Sequence, residues 1–85
     1  MSPAQQIFSH EFDKILFHLP PRIRPQIESK IDEMGSRLGQ FPHHRLKGST
    51  DFRLRVGDYR VIYQFDLKQN LISLITLGHR REIYR

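Results

Sequence analysis

Phe52-Arg53-Leu54-Arg55-Val56-Gly57-Asp58-Tyr59-Arg60-Val61-Ile62-Tyr63 is the stretch on which the fold turns. From Phe52 to Val56, apolar and cationic residues alternate, and successive side chains of an extended chain point to opposite faces. The alternation resumes with Tyr59, Val61, Tyr63 and Phe65 on one side and Arg60, Ile62 and Gln64 on the other. Gly57-Asp58 stands between the two runs, and two turn residues in that position predict a β-hairpin. Val56 then faces Tyr59 and Arg55 faces Arg60, while Arg53 lies two residues along on the same side. A bulge at Gly57 would instead slide the pairing by one residue and separate Arg55 from Arg60.

Downstream, Leu67 to Asn70 reads as the next turn and Leu71 to Leu77 as a third strand. That strand is apolar on both faces, the pattern of a strand covered on both sides. Upstream, the period becomes helical. Phe8, Phe12, Ile15, Leu16 and Leu19 form one apolar stripe, with Ser9 as N-cap and Glu11 in the first turn, where the helix dipole favours negative charge. Pro20 and Pro21 end this helix. Ile23, Ile27, Ile31, Met34 and Leu38 form a second stripe, with Pro25 confined to its first turn and Gly35 and Gly39 as stop signals. The short Leu19–Pro21 connection makes the pair an antiparallel hairpin. A short strand over Gln5 to Phe8 is expected to pair at one sheet edge. The reading is a single α+β domain over residues 1–85, with an N-terminal helical hairpin packed on one face of a small antiparallel sheet.

Eighty-five residues suffice for one domain and one modest core. The chain has no cysteine, which excludes disulfides, thiolate nucleophiles and cysteine-based zinc sites. No signal-peptide pattern or membrane-length apolar run occurs, so a cytoplasmic location without membrane contact is the default. The net charge of +5 is distributed unevenly. Residues 1–40 balance Lys14, Arg22, Arg24, Lys30 and Arg37 against Glu11, Asp13, Glu28, Asp32 and Glu33, whereas residues 41–85 set nine Lys/Arg against four acids. This asymmetry points to a polyanionic partner, either nucleic acid or an acidic protein; a basic surface kept for solubility is the plainer alternative.

The hairpin register gathers Arg53, Arg55 and Arg60 on one sheet face with no acidic residue alternating onto it. Directly opposed like charges cost up to about 1 kcal/mol per pair, so something outside the chain is expected to compensate them. A guanidinium fork suits phosphate oxygens, and a run of phosphodiesters is the natural candidate. The competing reading is that the arginines point into water and cover the sheet with their aliphatic stems. After the last strand the chain runs Gly78-His79-Arg80-Arg81-Glu82-Ile83-Tyr84-Arg85, a segment placed to drape over the arginine face. There is no phosphate-binding glycine loop, no dinucleotide loop and no clear carboxylate pair. His43 and His44 are adjacent rather than at ligand spacing and read as a loop pair, so neither metal nor cofactor is expected.

The segments Leu46-Lys47-Gly48, Phe52 to Tyr63, Gly78-His79-Arg80 and Ile83-Tyr84 resemble the RelE branch of the RelE/ParE toxin superfamily, and the preceding helical hairpin matches too. The resemblance implies the toxin of a type II toxin-antitoxin system: a metal-independent endoribonuclease that cleaves mRNA in the ribosomal A site and is held inactive by a RelB-like antitoxin with an acidic helical segment. By similarity, Arg60 would stabilise the transition state, Arg80 would contact or protonate the cleavage site, and Tyr84 would activate the 2′-hydroxyl. Arg53 and Arg55 would lie near the scissile phosphate and, with Lys47, His79, Arg81 and Arg85, hold the RNA. The spacing from Arg80 to Tyr84 is shorter than in well-studied members, and the general base is left open. Two other function classes compete: a ParE-like toxin that inhibits DNA gyrase by binding, and a non-catalytic RNA-binding module whose affinity would fall steeply with salt.

Overall fold

Ser9 sets the start of the helical layer. In the computed structural model, which describes residues 2–83, its Oγ accepts a hydrogen bond from the Phe12 N–H at 2.9 Å. Helix α1 (His10–His18) follows it, with Glu11 and Asp13 in the first turn. Leu19 and the two prolines close α1, and α2 (Arg24–Ser36) begins with Pro25 in its first turn, where a missing N–H costs nothing. Gly35 was expected to stop this helix, but it lies inside it and is buried. Its carbonyl accepts the Ala4 N–H at 2.9 Å, so the segment entering the first strand lies close against the helix there. The helix ends instead at Arg37, whose φ of −148° and ψ of 50° leave the helical region.

The strands are β1 (Gln5–Phe8), β2 (His44–Arg45), β3 (Phe52–Val56), β4 (Tyr59–Asp66) and β5 (Leu71–His79), arranged in the order β1-β5-β4-β3-β2. The hairpin has the register read from its alternation: Val56 pairs with Tyr59, Arg55 with Arg60 and Arg53 with Ile62. Gly57 takes a φ of +58°, a conformation that side-chain-bearing residues rarely adopt, and so fits the first position of a type II′ turn. β1 pairs at the edge, as expected, but parallel to β5, so the sheet is antiparallel only from β5 to β2.

The apolar residues of β5 fall where they do for a different reason from the expected cover on both sides. Between Ile62–Thr76 and Tyr63–Leu74 the register shifts, leaving Ile75 as an extra residue. The bulge lets Ile72, Leu74 and Leu77 all face the helices, although the last two are three residues apart. Outward positions on this strand are occupied by Ser73, Thr76 and Gly78.

The two helices pack on one face of the sheet and bury Phe12, Ile27, Ile31 and Met34 against Val61, Tyr63, Ile72 and Leu74, each at most 1 % exposed. Burial of each such side chain contributes about 1.5–3 kcal/mol before chain entropy is subtracted. The α+β architecture is therefore as the sequence indicated, and the opposite face of β3 and β4 is left uncovered by helices. No helix among the described residues is long and apolar enough to cross a membrane.

Candidate functional site

The site is built from register. Cross-strand partners project to the same face, so pairing of Arg55 with Arg60, and of Arg53 two residues along, brings three guanidinium groups to the helix-free side. Short strand β2 adds a fourth group, because His44 pairs directly with Arg53. His44, Arg53, Arg55 and Arg60 line a cleft of about 300 Å³.

Arg60 is the deepest of the four. It is 6 % exposed, and its Nη1 donates to the Tyr59 carbonyl at 3.2 Å and the Gly57 carbonyl at 3.4 Å. Among the described residues, none of the ion pairs involves Arg53, Arg55 or Arg60. No sealed side-chain nitrogen or oxygen among them lacks a partner either, so the unbonded edge of the Arg60 guanidinium still reaches open space. A nearly buried cation opposite a like charge, with only two carbonyl contacts, is an arrangement that costs stability unless an anion joins it. Ile62 is also buried on this face, beside Arg53, so arginine stems cover apolar surface here while their heads line the cleft.

Backbone alternation divides the two adjacent histidines. His43 turns toward the aromatic layer beneath the sheet, where its ring stacks on Phe65 at 3.9 Å and 18°. Its Nε2 lies 2.8 Å from the Leu38 carbonyl and its Nδ1 2.6 Å from the Tyr63 hydroxyl. A carbonyl can only accept, so Nε2 donates to Leu38, while Nδ1 shares a hydrogen bond with the Tyr63 hydroxyl. Burial pushes the Tyr63 phenol well above its ordinary value and keeps it a donor. With His43 clamped at two ring atoms and one face, the next residue along the extended chain, His44, is presented to the cleft. The expected loop pair is thus one structural histidine and one cleft histidine.

The C-terminal turn lies against the same end of the sheet. The Arg80 N–H donates to the Asp58 carbonyl at 2.8 Å, and Arg80 Nε lies 3.9 Å from Asp58 Oδ1 in an exposed, weak ion pair. Ile83 packs over Gly78, the β5 partner of Arg60. His79 pairs with Tyr59 and meets its ring edge-on at 5.7 Å, on the face opposite Arg60; its Nδ1 accepts the Arg81 N–H at 3.2 Å. Arg81 is exposed. Lys47 sits on the loop between β2 and β3, at the far end of β3 from Gly57-Asp58. Tyr84 and Arg85 lie outside the described residues. Of the residues singled out by sequence, the structure therefore gathers Arg53, Arg55 and Arg60, ties Arg80 to the adjoining turn, and holds Lys47 and His79 apart from them. His44 was missed, and its only signal was an alternation too short to register as a period.

Set beside known proteins, residues 3–84 match the family model described as ParE toxin of type II toxin-antitoxin system, parDE. No curated protein matches the chain. Among solved structures, the toxin-antitoxin complex RelBE2 of Mycobacterium tuberculosis matches with a TM-score of 0.78 and 22 % identity, over 96 % of this chain and 97 % of that one. A RelB-RelE antitoxin-toxin complex of Methanococcus jannaschii matches with a TM-score of 0.70 and 29 % identity, over 92 % and 94 %. The isolated E. coli RelE toxin matches with a TM-score of 0.75 and 19 % identity, over 89 % and 83 %. At these identities the structural likeness is one of fold.

Proposed function

Because the chain belongs to the ParE toxin family of type II toxin-antitoxin systems, we propose that it acts as a toxin by cutting mRNA on the ribosome, with guanidinium groups balancing phosphate charge. One observation carries this reading: Arg53, Arg55 and Arg60 converge in one cleft and have no carboxylate partner among the described residues. A phosphodiester seated there would supply the missing anion.

Arg60, preorganised by its carbonyl contacts, would stabilise the charge that develops on the nonbridging oxygens as the adjacent 2′-hydroxyl attacks phosphorus. Arg53 and Arg55 would hold the flanking backbone, and Arg80, at the rim by Asp58, would approach the leaving side. Tyr84 is the C-terminal candidate for proton transfer. Arginine itself stays protonated at ordinary pH and cannot serve as base. A cleft lined by three arginines and one histidine supplies charge but few groups to orient a flexible strand, which supports a role for the ribosome in presenting the RNA. The same cationic face would suit the acidic helical segment of a cognate antitoxin, and the M. tuberculosis and M. jannaschii structures are toxin-antitoxin complexes.

The test is cleavage of mRNA by the purified chain in translating and translation-blocked extracts, with end mapping. Cuts confined to translated message in the parent and absent in R60M support the reading; equal growth arrest by the two proteins, without cuts, overturns it. The family match favours a second reading, a ParE-like toxin, which by the resemblance noted above would act by binding and inhibiting DNA gyrase. That outcome would appear as gyrase-dependent DNA breaks that are insensitive to R60M.

A further inference from the structure

The cleft contains one side chain whose chemistry the nuclease reading has not used. His44 lines it together with Arg53, Arg55 and Arg60, and of those four it is the only one whose side chain offers an acceptor nitrogen, since a guanidinium can only donate. Its place follows from two independent constraints. Its backbone is paired with Arg53, which sets its Cβ about 5 Å from that of the arginine on the same face. Its neighbour His43 is fastened into the aromatic layer by the Tyr63 hydroxyl, the Leu38 carbonyl and the Phe65 ring, so strand β2 cannot turn over without breaking those contacts. Beside three guanidinium groups that can only donate, the exposed imidazole is the one side chain of the cleft wall with an acceptor nitrogen. It becomes useful when the occupant brings both negative charge and a hydroxyl proton to be removed.

We propose that His44 is the general base of the RNA cleavage step, a proposal that rests on the nuclease reading above. With a phosphate seated among the arginines, the 2′-hydroxyl of the preceding ribose would lie within a few ångströms of that phosphorus, in the cleft that His44 lines. The unprotonated ring nitrogen of His44 takes the 2′-hydroxyl proton. The O2′ electron pair forms a bond to phosphorus and the bond from phosphorus to O5′ breaks. The pair departing on O5′ takes a proton from water, and the imidazolium returns its own proton to the hydroxide so formed. The products are a 2′,3′-cyclic phosphate and a 5′-hydroxyl, with no oxidant or reductant involved. The charged groups facing His44 are Arg53 and Arg55 from β3 and Arg60 from β4; Arg45, its neighbour on β2, projects to the other face, where it lies over Phe52.

The experiment compares the intact chain with H44Q and H44A in cleavage of ribosome-bound mRNA across pH 5 to 9, with thermal unfolding of each protein measured in parallel. The expected result is a fall of about 100-fold or more in kcat for both variants, with KM changed by less than about threefold. The rise of rate with pH on the acidic side should be present in the parent and absent in H44Q, and added imidazole should restore part of the H44A rate. A parent that cleaves while H44Q retains its rate and its acidic limb overturns the proposal and leaves the nuclease reading standing. A parent that cleaves nothing overturns both. Early melting of both variants would assign the ring a structural role and also overturn it.

Discussion

The two faces of the sheet treat the same kinds of side chain in opposite ways. On the helix-covered face, His43 and Tyr63 satisfy one another, and the Leu38 carbonyl accepts from the imidazole Nε2. On the open face, one residue away along the same short strand, His44 stands among three guanidinium groups that have no carboxylate partner among the described residues. Burial is not what separates them, since Arg60 at 6 % exposed is nearly as enclosed as the core. The difference is completion. The covered face satisfies its polar groups within the chain, whereas the open face leaves charge that only an outside anion can balance. Residues of the first face should therefore matter to stability, and those of the second to activity at little or no cost in stability.

The largest expected effect breaks the covered face. Tyr63 is fully buried and among the largest such side chains, so Y63A should lose about 3–5 kcal/mol in urea-induced unfolding through the cavity it leaves. The next is R60M, which should lower mRNA cleavage by about 10²–10³-fold, equivalent to roughly 2.7–4 kcal/mol of transition-state stabilisation. Its unfolding free energy should stay level or rise by up to about 1 kcal/mol, because the cation opposed to Arg55 has gone. The opposite signs on stability are the informative result. If R60M were to destabilise the fold as Y63A does, Arg60 would be a structural residue and the contrast between the faces would be lost.

Much of this contrast is visible in the chain before any coordinates. Alternation from Phe52 to Phe65 and a two-residue turn fix which residues oppose which, and a one-residue slip would have reversed every side chain. That is why the meeting of Arg55 with Arg60 is legible. Ser9 is legible for a similar reason, since its cap is a contact within one turn. The parts that escape are those decided by distant contacts. β2 has only two residues, too few for a period, so the division of His43 from His44 cannot be seen. The extra residue at Ile75 is hidden because it is itself apolar and reads as one more residue of the strand's apolar pattern. Gly35 reads as a stop signal, yet it serves the close approach of Ala4, a residue 31 positions earlier. The burial of Arg60 likewise coincides with the packing of Ile83 over Gly78, a contact across the end of the sheet.

A smaller effect sharpens the account of the covered face by separating hydrogen bonding from volume. H43F keeps an aromatic ring against Phe65 but leaves the Tyr63 hydroxyl without its acceptor. The expected cost is about 1–3 kcal/mol, the desolvation penalty of one buried polar group. Because His43 also anchors β2, H43F should reduce cleavage through misplacement of His44. A variant that unfolded like the parent would show that water replaces the missing partner.

The smallest effect at neutral pH becomes a qualitative difference in alkali. Y63F removes one buried hydroxyl and its hydrogen bond, at a cost of about 0.5–1.5 kcal/mol near pH 7. In the parent, burial raises the folded-state phenol above its ordinary value of 10.0, so as pH climbs past that value the unfolded chain loses the Tyr63 proton while the folded chain keeps it. The folded state then binds more protons than the unfolded one, and the linkage slope makes stability fall with rising pH. Below about pH 10 the Tyr63 contribution is fully present; above it, stability declines until the folded-state phenol itself ionises. Y63F lacks this group, so its unfolding free energy should follow the parent's dependence minus one proton, and the two curves should converge above pH 10 and cross before about pH 11.5. Denaturant midpoints measured at half-unit intervals would show it. Parallel curves would mean that the Tyr63 phenol ionises as readily inside the fold as outside it, and that the covered face is less sealed than the contacts of His43 imply.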